Sequence, residues 1–583
     1  MNSPPSFTMK TPISIPAQHV KAASRRWAFF GHALALSLRP SSLALGAAVF
    51  FAVVASSQGA AAHWPHAWER WEQTLTSTRN YDNPYADVTL RVRYSGPEGR
   101  VLATYGFWDG GDVFRIRCAF PIAGTWRWET ECSDAGNSGL HGRRGTVEVT
   151  PYRGENTLYR RGFLKVSDDR RYLTFGDGTP FLWMGDTAWA APMRSNEDEW
   201  NRYLADRRAK RFPLIQVAPA PKWAGETNRD GVVPFHDEAC FQGNPAFWQA
   251  FERKIQQANE AGFVVMLIGL MEPVNRYPES AAACLFSRQI VARLFGNFVI
   301  FSPSFDSNFM PLADEVGRAT RDATTVHLIT QHPGTPSREP IPTYTMKYYD
   351  QPYLDFAGVQ SGHNQGNRER CAHHASEWML HAYRHEPHKP VINLEAMYDG
   401  QGEKAWQAVD ARSHAWLSWL SGAKGYTYGA GDVSPKVTLG NGGIWKWITD
   451  PEKYDYWEKA LQWESASQMQ YLHDFLAALE WWRLEPAPEL IRNQPEAWAR
   501  RAVLAKIAGR DRAVAYLPDN EAIEVDVSTF SVPLAVRWFD PVRGRYAPAR
   551  CSVETPGVHR LVPPSKGEWV LTLGGPSPSS SSP

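Results

Sequence analysis

Hydrophobic and polar positions follow three successive rhythms along this chain. Between Ala86 and Val149 they alternate in short runs, VTLRVRY at 88–94, VFRIRC at 113–118, WRWET at 126–130 and a further run at 146–150, with Gly124, Gly142 and Gly145 in the breaks. A period of two places every second side chain on one face, so these runs predict half-buried strands, and short punctuated strands predict a β-sandwich. From Tyr172 onward, apolar runs of strand length at 181–184, 214–217, 264–268, 298–301, 326–329, 356–360, 391–394 and 425–428 alternate with stretches of helical period at 197–210, 245–261, 287–294, 373–385 and 404–421. Eight strand–helix repeats in roughly 260 residues have the size of a closed (β/α)8 TIM barrel, although a doubly wound sheet shares that periodicity. After Pro486 the period of two returns at 513–516, 523–527, 534–539 and 569–572, preceded by a helical piece at 471–483.

The predicted fold class is multidomain α/β plus all-β: a central (β/α)8 TIM barrel over 156–485, flanked by β-sandwich domains at 63–155 and 486–575. At 583 residues the chain exceeds what one hydrophobic core organises, which agrees with several domains. The Ser/Pro-rich tail 576–583 is expected to be disordered. Lys21, Arg25 and Arg26 precede apolar stretches at 27–38 and 43–54, and Gly59-Ala60-Ala61-Ala62 follows. Basic, apolar, then small is the order of a secretory signal peptide over 1–62, and Ser24-Arg25-Arg26 also admits a twin-arginine reading. The expected location is periplasmic or extracellular, with no stable membrane insertion after cleavage, because the apolar runs are short for a spanning helix.

Charge narrows the partners. A net charge of +1 with no dense Lys/Arg run gives no footprint for nucleic acid. The six cysteines, Cys118, Cys132, Cys240, Cys284, Cys371 and Cys551, include no CxxC pair, which argues against a thiolate metal site or a dithiol redox centre. GxSxG, P-loop, dinucleotide-glycine and HExxH patterns are absent, so esterase, nucleotide, NAD and zinc-protease readings lose their main support. No cofactor and no metal is expected, although a divalent ion held by carboxylates stays open. The 25 Trp, 22 Tyr and 27 Phe fit a large aromatic core and equally fit faces on which sugar rings stack.

The active site of a (β/α)8 barrel lies where its strands end, so those ends carry the chemistry. The first run leads to Asp186 and Trp189, the second contains Gln216 and leads to Trp223, and the third ends in Glu272. The fourth leads through Ser302-Pro303-Ser304-Phe305 to Asp306, the fifth to Gln331-His332, and the sixth to Gln360 and His363. The seventh ends in Glu395 with Tyr398 beyond it, and the eighth carries Tyr428. Cleavage of a glycosidic bond needs one carboxyl to protonate the leaving oxygen and a second to attack the anomeric carbon or activate water. The fourth and seventh strand ends can face each other across a mouth, which makes Asp306 the candidate acid/base and Glu395 the candidate nucleophile. Glu272 is the rival third carboxylate. Asp186, Gln216, Glu272, His332, Gln360, His363, Tyr398 and Tyr428 are candidate substrate contacts or supports, with Asp186 also readable as a helix cap. Trp189, Trp223 and Trp445 are candidate stacking faces.

YLTFGDGTPFLWMGDTAW at 172–189 resembles the opening of the apiosidase-like barrel glycoside hydrolases, and the likeness continues through VQSGH at 359–363, NLEAMY at 393–398 and GYTYG at 425–429. GFWDGGDVFRIRCAFPIAGTWRW at 106–128 resembles the β-sandwich module fused ahead of such barrels, and AVAYLPDNEAIEVD with VRWFDPVRGRY resembles a C-terminal module labelled collagen-binding. The resemblance implies that Asp306, in the position of the Asp of a Gly-Gly-Asp loop, and Glu395 are the catalytic pair, and that Asp186 is a substrate-binding carboxylate in the mouth. Here Ser304-Phe305 replaces the two glycines, so side chains fill positions where backbone alone would leave space, and apiose is not carried over. The expectation is a glycoside hydrolase acting on a polysaccharide or oligosaccharide, with furanosides among the substrates the resemblance implies. The alternative is a catalytically inactive carbohydrate-binding protein, which would use aromatic platforms without needing both carboxylates. A metal-dependent esterase or lyase is the third class.

Overall fold

The computed structural model describes residues 64–220, 227–272, 280–306, 310–335, 340–362, 367–400, 406–431, 443–453, 456–519, 521–548 and 551–574. The expected signal peptide, Trp223, His363 and the tail 576–583 lie outside these residues.

Seven of the eight apolar runs form one parallel sheet. Along the sheet the order is Val299–Ser302, Val264–Ile268, Leu214–Val217, Trp183–Thr187, Gly425–Tyr428, Val391–Glu395 and Ala357–Gln360. The first strand in sequence therefore pairs with both the second and the last, Gly185 with Leu214 and Trp183 with Gly425, and the sheet curls into a half-barrel. The run at 326–329, expected as a strand, forms only a single parallel bridge, Phe301 with Ile329. The Asp355 carboxylate explains why: it accepts the Ile329 N–H at 2.7 Å, taking a donor that a ladder would have used.

Alternation along these strands separates two apolar layers. Trp183, Leu214, Met266, Ile268, Ile300, Ile392 and Leu394 meet on the inside of the curl, while Met184, Ile215, Val217, Val265, Leu267, Phe301 and Tyr426 pack outward against helices. The Glu197–Ala209 helix opens on a reciprocal cap between Asn196 and Glu199, and Pro245–Glu260 opens on Asn244 with proline in its first turn. Ser280–Leu294 begins seven residues before the expected 287. The expected helix 373–385 is interrupted, with a π-turn at His374–Trp378 between Arg368–His373 and Met379–Arg384.

The outer parts of the chain are all-β. Before the half-barrel lie a four-stranded antiparallel sheet, ordered Val101–Tyr105, Leu90–Ser95, Gly124–Cys132, Arg144–Val149, and a three-stranded one built on Arg70–Thr76 and Val113–Ala119. After it, Val503–Ile507, Ala513–Leu517, Trp569–Leu573 and Leu534–Asp540 form the centre of a further antiparallel sheet. Buried charge ties the first region to the helices of the half-barrel: Arg117 donates twice to Glu252, at 2.7 and 2.8 Å, and Arg293 donates to Glu252 and Asp109, both at 2.8 Å. Burial alone would raise the Glu252 carboxyl, but these guanidinium groups hold it down at about 2. All six cysteines are unbridged thiols. Among the described residues no helix is long and apolar enough to cross a membrane.

Candidate active site

Glu395 owes its direction to a break in register. On the neighbouring strands Val359 pairs with Asn393, and the next pair is Gln360 with Glu395, so Leu394 is an extra residue. Strict alternation would put Glu395 on the outward face with Asn393, whose amide bonds Ser361 and Ser418 at 2.8 and 2.9 Å. The bulge reverses that parity, as such irregularities do beside functional sites, and turns Glu395 inward. There Gln360 Nε2 donates to its Oε2 at 2.8 Å, and the Tyr398 hydroxyl donates to its Oε1. Burial and the adjacent Glu395 carboxylate push the Tyr398 phenol well above its ordinary range, so it stays a donor. Tyr398 also accepts from the Trp189 indole at 3.1 Å, and it lies flat against Gly429, where a Cβ would stand 2.1 Å from its Cδ1.

The opposing carboxylate is carried by the loop after Val299–Ser302. Ser302 Oγ donates to the Ser304 carbonyl at 2.8 Å, Gln331 Oε1 accepts the Ser304 N–H at 3.0 Å, and Ser304 Oγ bonds the His332 backbone. The loop is thereby fastened to residues 331–332 and ends at Asp306 in a left-handed conformation, φ 48°. Asp306 keeps 52% of its side chain exposed, whereas Glu395 keeps 3%. His332, fully buried, stands between them, with Nδ1 3.5 Å from Asp306 and Nε2 3.3 Å from Glu395. One ligand-type atom from each of the three lies within 4.8 Å of the other two, so the carboxylate oxygens themselves approach that closely. A carboxylate–imidazole–carboxylate set of this size has the donors to hold a divalent ion, and it equally has the donors to pass a proton across the mouth.

Phe305 completes the wall. Its ring lies 4.8 Å from that of Trp189 and 5.4 Å from that of His332, and Phe305, Trp189, Tyr398 and Trp445 belong to the inner apolar layer. Gln216, on the same inner face, donates to the Leu394 carbonyl at 2.7 Å and so braces the bulge that aims Glu395. Glu272, expected at the strand end, lies four residues beyond it in the turn after Val264–Ile268, its N–H bonded to the Gly269 carbonyl at 3.0 Å and its Cγ beside Phe305 across Gly269.

The structure thus brings together Asp306, Glu395, His332, Gln360, Tyr398, Trp189 and Trp445, with Gln216 and Glu272 at the edge. Asp186 and Tyr428 are not among them. The first strand runs three residues beyond its expected end, to Thr187, which leaves Asp186 within the strand on the outer side, paired with Arg207 Nε at 2.6 Å and the Tyr203 hydroxyl at 2.7 Å. Tyr428 also points outward, bonded to Ser465 at 2.8 Å. Sequence reasoning placed Gln331 at a strand end and Ser304 as a space-filling loop residue, but did not name either as holding the loop that carries Asp306. Their contacts join distant parts of the chain, and no local spacing announces them.

Three family models match the chain: an apiosidase-like catalytic domain over 167–483, a domain of unknown function over 65–133, and the "putative collagen-binding domain of a collagenase" over 486–574. No curated protein matches it. Among solved structures, a glycoside hydrolase is 22% identical with a TM-score of 0.62, covering 72% of this chain and 98% of its own. A family 5 glycoside hydrolase from Bacteroides vulgatus is 22% identical with a TM-score of 0.60, covering 71% and 93%. A second Bacteroides vulgatus chain, described as a "putative glycoside hydrolase", is 17% identical with a TM-score of 0.65, covering 87% and 99%. At such identities these structures speak to the fold. The catalytic-domain match spans more than half of the chain, including both carboxylates, and the chain belongs to the apiosidase-like family of glycoside hydrolases.

Proposed function

We propose that this enzyme cleaves a glycosidic bond in an exported setting by a retaining mechanism, with Glu395 as nucleophile and Asp306 as acid/base. The observation that carries the reading is the facing pair itself, with carboxylate oxygens within 4.8 Å of each other. Retaining glycosidases hold their carboxyl groups about 5–5.5 Å apart, whereas inverting ones leave about 6.5–9.5 Å for a water. Surroundings divide the roles. Glu395 receives hydrogen bonds on both oxygens, which favours the ionised form a nucleophile needs. Asp306 reaches solvent, where an acid/base can recover its proton between steps. His332 links the two, and Phe305 narrows the space beside them, so the sugar accommodated differs from one that requires an open double-glycine loop.

Three further parts of the reading rest on pattern. The segment 326–330 bonds Phe301 on one side, and its Ile329 carbonyl accepts from Asp355 on the other, the place of an eighth strand closing the barrel. The all-β regions stand as sandwiches on either side of it. The order of basic, apolar and small residues within 21–62 supports export.

The test is a panel of furanoside- and pyranoside-bearing polysaccharides, with the first-formed anomer followed by NMR. Retention is expected. Asp306→Asn should lose activity on these substrates yet keep much of it on an aryl glycoside whose leaving group needs no protonation. Inversion would remove the nucleophile role from Glu395, and loss of activity to a chelator would favour a metal held by Asp306, His332 and Glu395.

A further inference from the structure

At the opposite end of the half-barrel, between its strand starts and the N-terminal all-β region, lies a cleft of about 560 Å³. It is lined by Val326, six residues before His332, so an extended chain separates it from the catalytic pair by roughly 20 Å. Its floor is aromatic. Trp68 is held in a left-handed conformation, φ 67°, by its N–H bond to the Phe120 carbonyl at 2.8 Å. Its ring packs 5.1 Å from Phe163 and fills the space over Gly162, where a Cβ would fall 2.4 Å from the indole. Trp68 is half-buried and lines the cleft.

The rim is cationic. Arg160 and Lys165 are exposed and Arg161 half-buried over the Phe175 ring, and among the described residues none of the three has an ion-pair partner. Arg100 adds a fourth cation, 3.7 Å from Glu98, and among the described residues Asp177 is the single acid of the lining. In a chain of net charge +1 this is a local concentration of positive charge. Unpaired cations around a fixed indole recognise a ligand that offers both a flat apolar face and repeated negative charge. A sugar ring bearing a carboxylate has that combination.

We propose that this cleft is a second, non-catalytic binding site for a uronic-acid-bearing polysaccharide segment, holding the polymer while the mouth at the other end acts on it. The proposal extends the hydrolase reading but does not use its residues, so the two fail separately.

The experiment is isothermal titration calorimetry on the full chain carrying Glu395→Gln, with hexagalacturonate as the charged probe and cellohexaose as the neutral one. Hexagalacturonate should bind at least ~10-fold more tightly than cellohexaose and weaken as salt is raised. Arg160→Gln with Lys165→Gln should lower that affinity about tenfold, and Trp68→Leu should lower it independently. The two exposed positions carry the test if Trp68→Leu unfolds the protein. No binding of hexagalacturonate, binding indifferent to these substitutions, or equal binding of a thymidine hexanucleotide would overturn the proposal. Hydrolysis of a polysaccharide by the parent enzyme without cleft binding would overturn the cleft alone. Cleft binding without any hydrolysis would overturn the hydrolase mechanism alone.

Discussion

Asp186 and Glu395 are carboxylates at the ends of strands in one parallel sheet, both buried, and they differ in what faces them. Asp186 looks outward to a guanidinium: Arg207 and Tyr203 hold its Oδ2, and both members of the ion pair are fully buried. Burial raises the Asp186 carboxyl, and Arg207 opposes that shift through its charge and its hydrogen bond. Glu395 looks inward, where the neutral Gln360 and Tyr398 donate to its two oxygens and His332 Nε2 lies 3.3 Å away. An acid neutralised by a buried base has its charge cancelled locally and fastens a helix to a sheet. An acid that takes hydrogen bonds from an amide and a phenol, with no guanidinium among these donors, keeps its charge aimed into the mouth, where an electron-poor anomeric carbon can use it.

Glu395→Gln is the sharpest way to break this contrast. It keeps the size and most hydrogen bonds of the side chain but removes the attacking oxygen's charge, so kcat/KM should fall on the order of 10⁴-fold or more, with the melting midpoint nearly unchanged. Retained activity would mean the two carboxylates do not differ in the way proposed. Asp186→Asn should do the reverse. It leaves a buried guanidinium without its counter-charge, a loss of about 3–5 kcal/mol of stability by denaturant titration, while kcat/KM per folded molecule stays near the parent value. A raised KM with unchanged stability would return Asp186 to the substrate.

These two residues also mark how far the sequence could be read. The run VINL followed at once by glutamate made Glu395 legible, because a charge directly after a mainly apolar run marks a strand end. Its direction was not legible. By alternation it belongs outside, and only the extra residue at Leu394 brings it in. Asp186 was legible as a strand-end acid, but the strand continues to Thr187, and alternation along it places Asp186 on the helix side. The spacing of Tyr203 and Arg207, one helical turn apart on Glu197–Ala209, was the local sign of its partners. The runs read as strands in the all-β regions recur as strands, because a period of two survives any topology, but Arg70–Thr76, Val101–Tyr105 and Val503–Ile507 were not among them. The run 326–329 was not, since the Asp355 side chain replaces a backbone acceptor and no pattern of apolar positions records that.

A finer division lies within the mouth, between Glu395 and the phenol that holds it. Tyr398→Phe removes the donor to Oε1 and the acceptor for Trp189, and should lower kcat about 30-fold, equivalent to about 2 kcal/mol. A hydrogen bond to a carboxylate favours its ionised form, so its removal should also move the acidic limb of the pH–rate profile to higher pH. A loss of stability with an unmoved profile would make Tyr398 a packing residue only.

Tyr428 supplies the smallest effect and the cleanest control, because it sits on the strand next to Glu395 but faces the other way. Ser465 donates to Asp399, so the hydrogen between Tyr428 and Ser465 comes from the phenol, and the three form a chain directed away from the mouth. Burial pushes the Asp399 carboxyl up to about 6. A carboxyl raised in the folded state favours folding most at low pH, and that contribution is lost as pH rises from the unfolded range through about 6. Above that pH the ionised Asp399 polarises the chain, and the bonds along it are stronger. Tyr428→Phe should therefore cost about 1 kcal/mol of stability near pH 7 and less near pH 5, with kcat/KM unchanged at either. A change in kcat/KM that follows the substrate's sugar would show that the outward-facing side of this sheet reaches the ligand after all.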